Sequence, residues 1–201
     1  MDQAFADNEQ LKNYWQLCLN GDTVAFGYIH AALFEGLYSY AVKILKDDTG
    51  ADDAVQELFI KIWNKRSSIG RLEKVKPFFF TTLRRQLLNQ LRDNKPKRLL
   101  PTEMAGPDIE FSQEEIIIKK EYDEGLKEKI LHVLHALPER QREVIYLHYF
   151  EDMPLAQVAD IMAVNYQSVQ NLKQRALHNM RSANLFTLFL LLCTAHRFGT
   201  V

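Results

Sequence analysis

The residues best placed to do chemistry in this chain are aromatic rings set among cations. In VKPFFFTTLRRQLLNQLRDNKPKR, residues 75 to 98, Phe78, Phe79 and Phe80 stand beside Lys76, Arg84, Arg85, Arg92, Lys95, Lys97 and Arg98. Such a mixture suits a single nucleic-acid strand, because an unstacked base can lie on a ring for about 1–3 kcal/mol while Lys and Arg hold the backbone. Three consecutive rings cannot share one helix face, so at least one of them belongs to a core.

A second group lies in LAQVADIMAVNYQSVQNLKQ, residues 155–174. Here Leu155, Val158, Ile161, Met162, Val169 and Leu172 recur at helical spacing, and small Ala159 permits a close crossing of two short helices. The pattern is that of a helix-turn-helix with Val164 plugging the turn. Asn165, Tyr166, Gln167, Ser168, Gln170, Asn171, Lys173, Gln174 and Arg175 are left outward, where they could reach base edges and phosphates from a helix in a major groove. The same spacing also describes a helical hairpin with a solvated outer face.

No catalytic constellation accompanies these groups. His132 and His135 are one turn apart, but neither a Cys nor a Glu-x-x-His pattern completes a metal site around them. A Gly-rich phosphate loop, a serine elbow and a paired-carboxylate pattern are missing from the sequence as well. The expectation is a protein that is not an enzyme, with no metal and no cofactor.

The elements that must position these residues are helices, since apolar residues recur every three or four positions and sustained alternation is nowhere present. Asp22 can cap a helix carrying Phe26, Ile29, Leu33, Leu37, Tyr40 and Ile44 as one core stripe. A second helix puts Val55, Leu58, Phe59, Ile62 and Trp63 on an apolar face and leaves Asp52, Asp53, Gln56 and Glu57 outside. Pro77 fits the first turn of a third helix running to about Asp93 and stopped by Pro96. Residues 94 to 111, with three prolines and no apolar period, read as an inter-domain linker. Ser112 and Glu115 form a capping box for a helix through about Ala136, and Pro138 starts another. The expected fold is all-α: two small helical domains joined by a flexible linker, the second containing the helix-turn-helix.

A net charge of -1 conceals opposing blocks. Residues 1–60 carry three basic and ten acidic side chains, or -7, whereas residues 61–100 carry twelve and two, or +10. Residues 101–128 stand at -6 and residues 129–201 at +2, from three against nine and seven against five. A +10 stretch of that length is an electrostatic footprint for a polyanion, although a solvated helix face is its simpler explanation. The two cysteines, Cys18 and Cys193, show no CxxC spacing, and no secretory leader is visible, so a cytoplasmic location is expected. The apolar segment LFTLFLLLCTA, residues 185–195, is shorter than the roughly 20 residues needed to cross a bilayer. Docking on the second domain is the expectation for it, ahead of an inhibitor protein or a membrane surface.

DAVQELFIKIW, residues 53–63, resembles the polymerase-binding signature of bacterial sigma factors. The segment VKPFFFTTLRRQLLNQLR resembles their promoter-melting helix, and LPERQREVIYLHYFEDMPLAQVADIMAVNYQSVQNLKQRAL resembles their second conserved domain. All three occur in the family's order, and two domains on a short linker are similar to the extracytoplasmic-function (ECF) group. The resemblance implies a region 2 domain at 1–95, a linker at 96–112, a region 4 domain at 113–183 and a tail at 184–201. It implies core RNA polymerase and promoter DNA as partners, the DNA both as duplex and as single-stranded non-template strand, and it admits an anti-sigma factor. By position, Asp53, Gln56, Glu57 and Phe59 would meet polymerase. Phe78, Phe80, Arg84, Arg85 and Arg92, with the loop from Ser67 to Lys74, would handle the opened minus ten element, and residues 155–174 would bind the minus thirty-five element. Where the family commonly has glycine in the turn this chain has Ala163, tolerable there if its φ is negative. Leu172 replaces a frequent basic residue, and Phe78, Phe80 and Arg85 replace frequent Trp, Tyr and Asn.

Two other functions fit parts of the pattern. A dimeric helix-turn-helix regulator would use the second domain alone and leave the acidic face and the aromatic-basic helix without a role. A helical adaptor would use neither set of polar faces for nucleic acid.

Overall fold

A computed structural model describes residues 8–93, 106–111 and 124–182, with side chains in the last stretch described for 128–181. The described chain divides into two compact units, one within residues 1–100 and one within 101–201. Every regular element among the described residues is a helix, as expected. The apolar segment 185–195 and the capping box at Ser112 lie outside the described residues, as do linker residues 96–105.

In the first unit α1 (Asn8–Leu19), α2 (Thr23–Leu45), α3 (Asp48–Ile69) and α4 (Val75–Asp93) all pack against one another. Asp22 starts α2 as expected: one carboxylate oxygen accepts from the N–H groups of Val24 and Ala25 at 2.9 and 3.0 Å. The α2 stripe of Ile29, Leu33, Leu37 and Tyr40 is fully buried, and α3 and α4 meet it with Leu58, Ile62, Phe79 and Phe80. Burial of each such side chain contributes about 1.5–3 kcal/mol, which makes these helices one cooperative body. The N-terminal helix α1 is an element that the sequence reading did not pick out. It buries Leu11, Trp15 and Cys18, a single narrow stripe of spacing four and three.

In the second unit α5 (Glu124–Ala136) and α6 (Glu139–Ile145) precede a wide turn of π-helix over Tyr146–Phe150, followed by α7 (Leu155–Met162) and α8 (Tyr166–Ser182). The wide turn is fixed from inside. The buried Tyr146 hydroxyl donates to Glu151 at 2.9 Å, and the N–H groups of Glu151 and Met153 donate to the carbonyls of Tyr146 and Leu147. These bonds set the angle at which the chain enters α7.

Residues 106–111 are packed onto this second unit instead of spanning open space. Ile109 is fully buried and Phe111 nearly so, the latter with its ring 5.2 Å from Phe150 and 6.3 Å from Tyr146. Arg142 fastens the strap twice, donating to the Ile109 carbonyl at 3.0 Å and pairing with Asp108 at 2.6 Å. His135 Nε2 faces the Phe111 backbone N and O, both at 3.2 Å. A Cβ on Gly106 would lie 3.2 Å from the Arg140 backbone nitrogen, so this close approach favours glycine.

Ile109→Ala should therefore destabilise the second unit by about 2–5 kcal/mol. Both tryptophans, Trp15 and Trp63, belong to the first unit, so denaturant unfolding read by fluorescence should keep its midpoint while circular dichroism resolves an earlier transition.

Candidate nucleic-acid interface

Along α3, Asp53, Gln56 and Glu57 are exposed. Gln56 donates to Asp52 at 2.6 Å, while Gln86 of α4 donates both to the Glu57 carboxylate at 2.9 Å and to the Ala54 carbonyl at 3.1 Å. The Glu57 charge is thus held in place from the neighbouring helix. Phe59 differs from the expectation: it is 4 % exposed, its ring 5.9 Å from Phe26, 4.5 Å from His30 and 5.4 Å from Phe79. It supports the acidic face from below. The residue that shares the surface is Ile60, 61 % exposed, which the apolar spacing of α3 had left unassigned.

On α4 the five expected DNA-facing residues separate into two groups. Phe80 is fully buried with its ring 5.5 Å from Tyr40, and Arg84 is only 8 % exposed. Both lie on the core side because they share a face with Leu83 and Leu87. Phe78 is half-buried against the edge of Phe79, and Arg85 and Arg92 are exposed. These three recur every seventh residue, two helical turns apart, so a single stripe carries one ring and two guanidinium groups. Arg92 also donates to Asn89. The stripe joins the cations of Arg71 and Lys74, exposed on the loop between α3 and α4.

In the second unit α7 and α8 form the expected helix-turn-helix. Val158, Ala159, Ile161, Met162 and Val169 are buried between them. Ala163 takes a left-handed conformation with φ 53°, outside the negative φ on which tolerance of alanine there depended, because that backbone turns the Val164 N–H back to the Ala159 carbonyl at 3.1 Å and closes the end of α7. All nine predicted residues lie at the surface, but they are not equivalent. Asn165 uses its side-chain oxygen to accept from the Ser168 N–H at 2.7 Å, which caps α8. Gln167 donates to Asn171 at 3.1 Å and Gln170 to the Tyr166 hydroxyl at 3.3 Å, so one amide–amide and one amide–phenol pair are preset along the helix. Gln174 and Arg175 are exposed, while Lys173, Gln170 and Ser168 are half-exposed. Cys18 is a packing residue, its thiol pushed up to about 11 first by burial and then by the Asp22 carboxylate.

Similarity to known proteins converges on this arrangement. The family model for Sigma-70 region 2 matches residues 32–97, and that for Sigma-70, region 4 matches residues 127–180. RNA polymerase sigma factor SigV of Bacillus subtilis (strain 168) is 30% identical over 148 residues, 73% of this chain and 83% of the relative. The chain belongs to the sigma-70 family. ECF RNA polymerase sigma factor SigW of the same organism is 24% identical over 171 residues, covering 80% of this chain and 89% of the relative. The fold matches sigma factor RpoE from Bartonella quintana, solved in complex with the anti-sigma factor NepR, at a TM-score of 0.56 and 20% identity. That match covers 79% of this chain and 95% of the other. As an ECF sigma factor the protein directs promoter-specific transcription initiation with RNA polymerase. Neither family match reaches α1 or the strap at 106–111.

The sorting of α4 is testable by comparing two phenylalanines. Phe80→Ala should lower the stability of the first unit by about 3–5 kcal/mol, whereas Phe78→Ala should unfold within about 1 kcal/mol of the parent and lose promoter opening. Equilibrium denaturation and permanganate reactivity of the opened strand measure the two effects. In the turn, Ala163→Gly should raise the thermal midpoint, since relief of left-handed strain of about 1–2 kcal/mol exceeds the added chain entropy.

Proposed function

We propose that this sigma factor divides initiation among three surfaces, each built from residues identified above. The acidic face of α3, with Asp53, Gln56 and Glu57 supported by Phe59 and bordered by Ile60, docks on core RNA polymerase. The α4 stripe of Phe78, Arg85 and Arg92, with the loop of residues 70–74, receives the opened non-template strand of the minus ten element; Ser67 to Ile69, expected in that loop, belong to the last turn of α3. Phe80 and Arg84 act from beneath by fixing the helix. In the second domain, α8 enters the major groove of the minus thirty-five element as duplex, with Gln167, Gln170, Asn171, Lys173, Gln174 and Arg175 facing the DNA and Asn165 and Ser168 forming the helix cap. Tyr166 lies at its leading edge.

The observation that carries this reading is the seven-residue recurrence of Phe78, Arg85 and Arg92 on the same compact unit as the acidic α3 face. A ring flanked by cations can stack an unpaired base, and flipping that base costs a few kcal/mol that such contacts must offset. A regulator that reads duplex alone has no use for the stripe. The domains of this reading are 1–95 for polymerase and the minus ten element and 113–183 for the minus thirty-five element, with residues 106–111 joined to the latter. The protein works by binding and positioning and is not itself a catalyst; it acts in the cytoplasm, on the nucleoid. Among the described residues no helix is long and apolar enough to cross a membrane. The RpoE complex with NepR supports an anti-sigma factor as a further partner of this chain.

Capture of core polymerase followed by promoter-dependent run-off transcription tests the whole reading; a chain that fails to bind core would sink it. Glu57→Lys should impair holoenzyme assembly while leaving duplex binding intact. Replacing Lys173 and Arg175 by alanine should weaken binding to duplex promoter by about 1–3 kcal/mol for a guanine contact, or reduce the salt slope by about one for a phosphate contact. Core affinity should be unchanged in that variant.

A further inference from the structure

The loop between α3 and α4 is short, and its shape is imposed from outside the two helices it joins. It begins at Gly70, with φ 70° and ψ -151°, a conformation essentially confined to glycine. The Gly70 N–H donates to the Arg66 carbonyl at 3.1 Å, and its own carbonyl accepts from Trp15 Nε1 at 2.8 Å. Toward the other end, the Glu73 carbonyl accepts from Asn8 Nδ2 at 3.0 Å and the Glu73 carboxylate pairs with Lys12 Nζ at 2.6 Å. Asn8, Lys12 and Trp15 are spaced by four and three residues, so one face of α1 holds both ends of the loop.

These contacts differ in what they can contribute. Trp15 is fully buried, with its ring edge against Phe79 at 6.4 Å, and it ties the loop to the core. The Glu73 side chain is 75% exposed, and pairs of that kind add little to stability. Their hydrogen bond and mutual charge nevertheless push Lys12 above and Glu73 below their ordinary pKa values. The pair fixes geometry more than it stabilises the fold. Between the fastened points the loop exposes Arg71, and Lys74 follows directly.

We propose that α1 is a positioning element for promoter opening, in which Asn8, Lys12 and Trp15 hold residues 70–74 in the shape that receives an unstacked non-template base. The inference rests on the assignment of this loop and the α4 stripe to the opened strand. It adds a helix beyond the matched family regions to the apparatus of base capture. Asn8 and Lys12 bond to Glu73 of the loop, and their proposed effect passes through the loop's conformation.

The test uses the full chain in holoenzyme and a short single-stranded DNA selected from random sequence on the wild-type holoenzyme. Lys12→Glu and Glu73→Lys should each weaken binding of that strand by about tenfold, the scale of one stacked base, and flatten its base preference. The double reversal has the wild-type net charge and should restore both. Trp15→Phe, which keeps an aromatic ring of smaller size and removes the donor, should flatten the base preference too, with core affinity unchanged. A double reversal no better than the single variants would overturn the positioning role of Lys12. Arg71→Ala with Lys74→Ala serves as the separate check. If that pair lowers strand binding while the α1 variants do not, only the inference about α1 fails; if neither set alters it, the assignment of the loop fails and the inference with it.

Discussion

Burial of Phe79, Phe80, Leu83 and Leu87 on one side of α4 is the constraint on which the nucleic-acid surface depends. A helix has one periodicity, so committing those positions to the core decides the opposite stripe without further choice. Phe78, Arg85 and Arg92 are what remains at seven-residue spacing. The same burial ties α4 to α2 through the Phe80 and Tyr40 rings and to α3 through Phe79 and Phe59. The surfaces proposed for polymerase and for the opened strand therefore share a single packed support. Gln86 makes the link local as well, since it leaves α4 to bond Glu57 and Ala54 on α3.

The second unit reaches a similar rigidity by different means, because its helices are short. The eight residues of α7 could not hold an angle alone, and an isolated helix of that length is marginal in water. Tyr146 and Glu151 lock the wide turn ahead of it, Asn165 caps α8 behind it, and Ala163 accepts a left-handed backbone to join the two. The strap at 106–111 braces the same wide turn, with Phe111 against Tyr146 and Phe150 and Ile109 buried beside it. Side chains proposed for recognition, such as Gln167 and Asn171, are then paired on a helix that is packed against its support.

What the sequence makes legible follows from how strongly each feature is periodic. The α2 stripe and its Asp22 cap, the outward acidic residues of α3 and the helix-turn-helix all recur over several turns, and their assignment needs only spacing. Phe59, Phe80 and Arg84 escaped because matching a chain to a family motif assigns positions, not faces; the spacing of Leu83 and Leu87 would have turned Phe80 and Arg84 inward. Helix α1 escaped because Leu11, Trp15 and Cys18 make a stripe of only two turns. The strap escaped for a deeper reason. Ile109 and Phe111 are separated by Glu110 in a segment of irregular backbone, and its burial depends on a long-range partner, Arg142, that no local pattern reveals.

The charge pattern acquires a physical reading once the helices are in place. With a net charge of -1, the whole chain exerts little long-range pull on DNA, and screening confines fields to about 8–10 Å at ordinary ionic strength. The +10 of residues 61–100 therefore acts only on a strand already brought close. The acidic -7 of residues 1–60 includes Asp53 and Glu57 on the exposed face of α3 proposed for polymerase, a charge that opposes DNA and favours a basic protein surface. Segregating the two signs on adjacent helices of one unit gives the face proposed for polymerase and the stripe proposed for the strand potentials of opposite sign. A uniformly basic chain of the same fold would bind duplex anywhere, without regard to sequence.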